Sequence, residues 1–214
     1  MPMKLDKREY RKFSAAEMET RTAEDGAMIV EGYATTFNQP YELWRDKEIT
    51  VMEQVDRNAF DETDMTDVIM QYDHEGRVFA RIANRTLELE SDEHGLKIRA
   101  NLGGTEIGRQ LFEEIRGGYT NKMSFGFTVT ADERKETRDE DKHITILRTI
   151  TKIGKLYDVS AVSLPANDAT EISARNTGDG VIQEALKEIH AREERAKRIG
   201  EIRMLLKGEK TDDA

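Results

Sequence analysis

A β-rich α+β fold is predicted by three features of the sequence. Many short stretches alternate apolar and polar side chains, one interior segment has helical periodicity, and a charged helical pattern follows at the C-terminal end. That pattern favours a β-barrel or sandwich with helices attached.

The elements follow in chain order. Residues 27–37, AMIVEGYATTF, are rich in β-branched and aromatic side chains and follow Asp25-Gly26, a hairpin-turn pair. Residues 10–22 are their expected partner strand. Residues 38–47 read as a polar loop around Pro40 and Trp44, and VDRNAFDET (55–63) as a short helical turn presenting Phe60. In DVIMQYDHEGRVFARI, Val68, Met70, Tyr72 and His74 alternate with Ile69, Gln71 and Asp73. The alternation places His74 at the end of a strand's apolar face, with Glu75-Gly76 as the turn beyond it. Residues 85–100 read as a hairpin, RTLELE and LKIRA joined by SDEHG.

Ile107, Leu111 and Ile115 mark a helix that Thr105 can cap and Gly117-Gly118 can end. It leads into NKMSFGFTV (121–129). There Met123, Phe125, Phe127 and Val129 share one face of a strand, and Ser124, Gly126 and Thr128 the other. The polar run ADERKETRDEDK (131–142) reads as an exposed, mobile β-loop. HITILRTITKI (143–153) and KLYDVSAVSL (155–164) resume the strand pattern until Pro165. After a linker at 176–180, residues 181–206 carry apolar side chains at helical spacing around the charged segment HAREERAKR. Gly200 costs that helix on the order of 1 kcal/mol against alanine.

Composition narrows the classes of function. Hydrophobic residues make up 37% and charged residues 36% of 214, and the formal net charge is −10. Such acidity argues against general nucleic-acid binding. Cysteine is absent, which removes disulfides, thiolate nucleophiles and cysteine-bound zinc. No apolar run approaches the roughly 20 residues that span a bilayer, and MPMKLDKREYRKF lacks a signal-peptide core. A soluble intracellular protein with one β-domain (1–175), a linker (176–180) and a helical tail (181–214) is expected, without cofactor or metal.

Ser124 is a weak nucleophile unless a base accepts its proton, and histidine is the usual base. His94, His143 and His190 fall in a turn, beside a charged loop and in the charged tail. His74 alone continues an apolar strand face, where a hydrogen-bonded edge-of-core histidine is the plainer reading. Asp158 lies inside the apolar strand LYDVSAVSL, on the face of Ser160 and Val162. There it is either a paired structural carboxylate or the third member of a Ser–His–acid set. Other chemistries find less support. Asp73, His74 and Glu75 alternate faces, no HExxH motif occurs, Gly103-Gly104 lacks a P-loop lysine, and nothing singles out a pair of catalytic carboxylates.

Five segments, taken in order, resemble the tailed-phage prohead serine proteases, the capsid-maturation proteases of the HK97 type. They are GYATTF (32–37), EQVDRNAF (53–60), QYDHEGRVFARIANRTLELESDEHGLKIRANL (71–102), KMSFGF (122–127) and LYDVSAVSLPANDAT (156–170). The resemblance covers about residues 10–175. It implies Ser124 as nucleophile, His74 as general base and Asp158 as the acidic third member. It also implies a β-barrel surrounded by helices, like that of the herpesvirus maturation protease, where the third member is another histidine. The implied activity is cleavage of scaffold or capsid-protein extensions, and of the protease itself, inside the immature head in the host cytoplasm. The partner is then the major capsid protein or its scaffold domain; the 181–206 helix either docks on these, pairs with a second copy or folds back on its own domain, and neither nucleic acid nor membrane is expected as a partner. The sequence departs from the family pattern at Asn58, where glycine is usual, at Phe79-Ala80-Arg81 in place of Gly-Arg, and at Asp158, where glutamate is commoner. An aspartate is one methylene shorter, which shortens its reach to His74. A non-enzymatic scaffold or assembly protein is the alternative reading.

Overall fold

Two long antiparallel strands organise the molecule. In the computed structural model, which describes residues 8–13, 18–163 and 179–208, β10 (Lys122–Arg138) pairs along its length with β11 (Ile144–Val162). Strands of 17 and 19 residues are far longer than the usual five or six. Each therefore serves several neighbours in turn. The first half of β11 pairs in parallel with β5 (Ile49–Val55), which pairs with the edge strand β4 (Tyr41–Arg45). The second half pairs in parallel with β6 (Ile69–Tyr72), which turns back into β7 (Glu75–Arg81). On its other side, β10 pairs with β1 (Glu9–Phe13), completing a seven-stranded sheet. A four-stranded antiparallel sheet contains, in order, β2 (Glu19–Thr22), β3 (Met28–Thr36), β9 (Gly95–Asn101) and β8 (Leu87–Ser91). The helix α1 (Glu106–Arg116) leads into β10.

The fold is β-rich α+β, but the barrel is not closed: the described strands form two separately hydrogen-bonded sheets. One apolar core draws on both, through Val30 and Ile98 of one sheet and Phe125, Phe127 and Val159 of the other. The alternation in NKMSFGFTV is realised, since Met123, Phe125 and Phe127 are fully buried in that core.

Several local readings change. Residues 10–22 do not form one strand beside 27–37: β2 pairs with β3, whereas β1 crosses to β10. Residues 41–45 are a strand because Tyr41, Glu42, Trp44 and Arg45 complete the edge of β5. Residues 131–138 are strand too, with the charged side chains from Glu133 onward exposed and Asp132 turned to Arg148, while the backbone is held in register by the apolar-rich β11. Thr105 caps α1 as expected, accepting from the Gly108 N–H, and Gly117 ends it. A second helix, α2 (Asp179–Gly208), forms a separate compact unit and runs through Gly200. It starts at Asp179, so Asp179 and Gly180 are helical rather than linker. Pro165 and residues 176–178 lie outside the described residues. No described helix is long and apolar enough to cross a membrane.

A buried ion cluster ties five strands together. The Glu53 carboxylate accepts from Arg11 Nε (2.5 Å) and Nη2 (3.0 Å), from Arg148 Nη1 (2.7 Å) and from the Tyr41 hydroxyl (2.5 Å). Arg148 also pairs with Glu9 and Asp132. Glu53 is wholly inaccessible to solvent. Burial alone would raise its pKa, but the two guanidiniums and the phenol outweigh burial and hold the carboxyl below its usual range. Burial and the neighbouring Glu53 charge push the Tyr41 phenol well above its ordinary value.

Removing Glu53 strands two buried guanidiniums. Glu53→Ala is expected to destabilise the fold by about 3–5 kcal/mol, measured by urea unfolding. Because the folded-state pKa of Glu53 is depressed, its contribution is complete above the unfolded carboxylate value of about 4.3 and is lost as pH falls through the lower folded value. Unfolding midpoints of the wild type should therefore decline below about pH 4 more steeply than those of Glu53→Gln.

Candidate active site

The register of β10 on β11 sets out the site. Ser124 stands opposite Ser160, and Gly126 opposite Asp158. Alternation puts all four on one face of the sheet. On the far side of β11, Asp158 pairs with Ile69 and Ala161 with Tyr72, so β6 delivers its terminal turn beside the Asp158 face.

That turn carries His74, and here the sequence reading is corrected. The hairpin turn is Asp73-His74, not Glu75-Gly76. Tyr72 pairs with Glu75, and both central residues have positive φ, 47° at Asp73 and 62° at His74. A tight two-residue β-hairpin favours this backbone, but it usually recruits Asn-Gly or Asp-Gly. A histidine held there costs on the order of 1–2 kcal/mol and persists only where other contacts fix it. Asp73 supplies them. Its N–H donates to the Ala161 carbonyl (3.0 Å), and its carboxylate accepts from the Ser163 hydroxyl (3.1 Å) and N–H (3.3 Å).

The three residues singled out from sequence meet in space. His74 Nδ1 lies 2.5 Å from Asp158 Oδ1, and His74 Nε2 lies 2.5 Å from Ser124 Oγ. A carboxylate only accepts, so Nδ1 carries a hydrogen toward Asp158 and, in the neutral ring, Nε2 is left as an acceptor facing the serine. Asp158 Oδ1 also accepts from the Ser160 hydroxyl at 2.9 Å. The shorter side chain of aspartate reaches because β11 runs directly between the serine strand and the histidine turn. Of the other described histidines, His143 contacts Thr50 (2.8 Å), His94 lies edge-on against Tyr33, and His190 is exposed on α2.

Two neighbours border the site: Gly126, which the sequence reading placed on the small face beside Ser124, and Tyr10, which it did not single out. A Cβ on Gly126 would fall 2.3 Å from Asp158 Oδ2 and 2.8 Å from the Tyr10 ring. Gly126 thus clears space for the carboxylate as well as for an approaching strand. Tyr10 sits on the His74 ring at a centroid distance of 4.5 Å. The small residue two positions after Ser124 was a readable signal; Tyr10, more than 60 residues before His74, left none.

Residues 16–184 match the family model described as caudovirus prohead serine protease. The chain belongs to that family. As a prohead serine protease, it has the reaction type that a serine, a histidine and a carboxylate in hydrogen-bonded sequence can perform. The capsid assembly protease of bacteriophage T4 is similar at a TM-score of 0.35 and 13% identity, over 72% of this chain and 98% of that one. No curated protein matches the sequence significantly.

Gly126→Ala should displace the Asp158 carboxylate while leaving most of the sheet intact. The expected outcome is loss of the low-field proton signal of a carboxylate-bound imidazole N–H in NMR spectra, with a stability loss of about 1–3 kcal/mol.

Proposed function

We propose that Ser124 is the nucleophile, His74 the general base and acid, and Asp158 the group that orients and charge-stabilises the imidazole. The substrates are extensions of the capsid protein or its scaffold, and the protease itself, inside the immature head. The observation that carries this reading is the unbroken contact series from Asp158 Oδ1 through the two ring nitrogens of His74 to Ser124 Oγ.

In the reaction, Ser124 Oγ attacks the scissile carbonyl carbon as its proton passes to His74 Nε2. Asp158 stabilises the imidazolium so formed. The tetrahedral intermediate collapses, the C–N bond breaks, and His74 returns the proton to the leaving amine. Water, deprotonated by the same ring, then hydrolyses the ester. Cutting the scaffold into fragments would let it leave and the shell expand.

We also read the two-sheet arrangement as an opened relative of the herpesvirus-protease barrel, supported by the single core shared between the sheets. The tail from residue 181 onward is the part suited to docking on scaffold or capsid protein, or to pairing with a second copy, because its helix forms a compact unit of its own.

Co-expression with the cognate capsid protein tests the chemistry. Ser124→Ala and His74→Ala should each abolish cleavage seen by mass spectrometry, and continued cleavage by Ser124→Ala would sink the serine mechanism. Asp158→Asn should fold yet lower the rate by about three to four orders of magnitude. Deleting residues 177–214 should reduce incorporation into proheads; unchanged incorporation would remove the docking role.

A further inference from the structure

Ser124 is fully buried, and what closes over it is the chain's own N-terminal strand. β1 runs antiparallel to β10, with Lys12 opposite Ser124 and Tyr10 opposite Gly126. The Ser124 hydroxyl donates to the Arg11 carbonyl at 2.8 Å. A hydroxyl has one proton, and while Arg11 holds it, His74 Nε2 cannot accept it. Tyr10 meanwhile sits against the imidazole. β1 thus places a peptide carbonyl at the nucleophile, where it competes with His74 Nε2 for the hydroxyl proton.

An extended segment that pairs with a strand edge and points a carbonyl at the reactive oxygen has the form of a bound peptide substrate. Its side chains alternate about the sheet. Tyr10 lies on the serine face; Arg11, opposite the buried Phe125, points to the other and enters the cluster around Glu53. Without β1, which supplies Arg11 and Glu9, the groups left there are Glu53, Asp132 and Arg148, held in place with Tyr41. Two carboxylates against one guanidinium leave one net negative charge around Glu53. One incoming guanidinium gives the buried Glu53 carboxylate its second cationic partner, as Arg11 does, while Glu9 of the same strand bridges Arg11 and Arg148.

We propose that β1 occupies the substrate groove of this protease, and that the groove takes an extended peptide with arginine on the acyl side of the bond to be cut, selected by Glu53. Activity then requires β1 to leave the edge of β10. The proposal rests on Ser124 as nucleophile, but its peptide-binding part does not depend on catalysis.

The test has two arms, both on the full chain. In the first, Ser124→Ala is combined with Tyr10→Ala, which loosens β1 without touching the ion cluster, and circular dichroism checks the fold. A fluorescent peptide of residues 8–13 is titrated by anisotropy against the same peptide carrying Arg11→Glu. The arginine peptide should bind at least tenfold more tightly, and Glu53→Gln added to the chain should erase most of that preference. Equal affinity of the two peptides, or binding by neither, overturns the groove. In the second arm, a peptidyl phosphonate with arginine at the reactive end is used to label Ser124. Tyr10→Ala and, separately, Arg11→Ala should label at least tenfold faster than wild type; equal rates overturn the blocking role of β1. Peptide binding with no labelling of any variant would instead refute Ser124 as nucleophile and leave the groove standing.

Discussion

The antiparallel register of β10 on β11 is the constraint on which the site depends. It sets Ser124 beside Ser160 and Gly126 beside Asp158. A slip of one residue would turn the serine into the core and the phenylalanines outward, because side chains alternate with a period of two. The register is protected by that same alternation, since Met123, Phe125 and Phe127 are fully buried in the core and a slip would take all three out of it. The apolar face thereby aims the polar one.

β11 adds a second constraint by its length. Seven of its residues bind β5 and four more bind β6, so one strand carries the buried ion cluster at one end and the acid of the site at the other. β1 touches both regions, through the Arg11 side chain at Glu53 and the Arg11 carbonyl at Ser124. The burial of charge and the closure of the serine are thus linked by a single residue. Local strain is concentrated at His74, where two successive left-handed residues lift the imidazole out of the strand and toward the serine. Asp73 anchors that turn to β11, which is why a histidine tolerates a backbone normally given to glycine.

Much of the site was legible in the chain. Ser124, His74 and Asp158 each sat at a position that local patterning made unusual: a polar face kept small, an imidazole continuing an apolar stripe, a carboxylate in an apolar run. The capped helix before the serine strand was readable because capping is local. The errors arose where a partner far away in sequence decided the outcome. The charged run 131–138 looked like a loop because its composition suits solvent, yet a strand with one wet face needs only a partner for its backbone. Residues 41–45 became strand for the same reason.

By itself, the sequence determined the β-rich class and the alternation of NKMSFGFTV, since these depend on neighbours a few positions apart; local patterning left Ser124, His74 and Asp158 with plainer structural readings, and the resemblance to the prohead proteases singled them out together. The tertiary structure decided which strands meet, and with them the 2.5 Å contacts at His74. It also decided that Asp73-His74, not Glu75-Gly76, makes the turn, because Asp73 is held by Ala161 and Ser163 some 90 residues on. Only the fold could bring Arg11 to Ser124, 113 residues away, for no local pattern encodes where an N-terminal strand will pair.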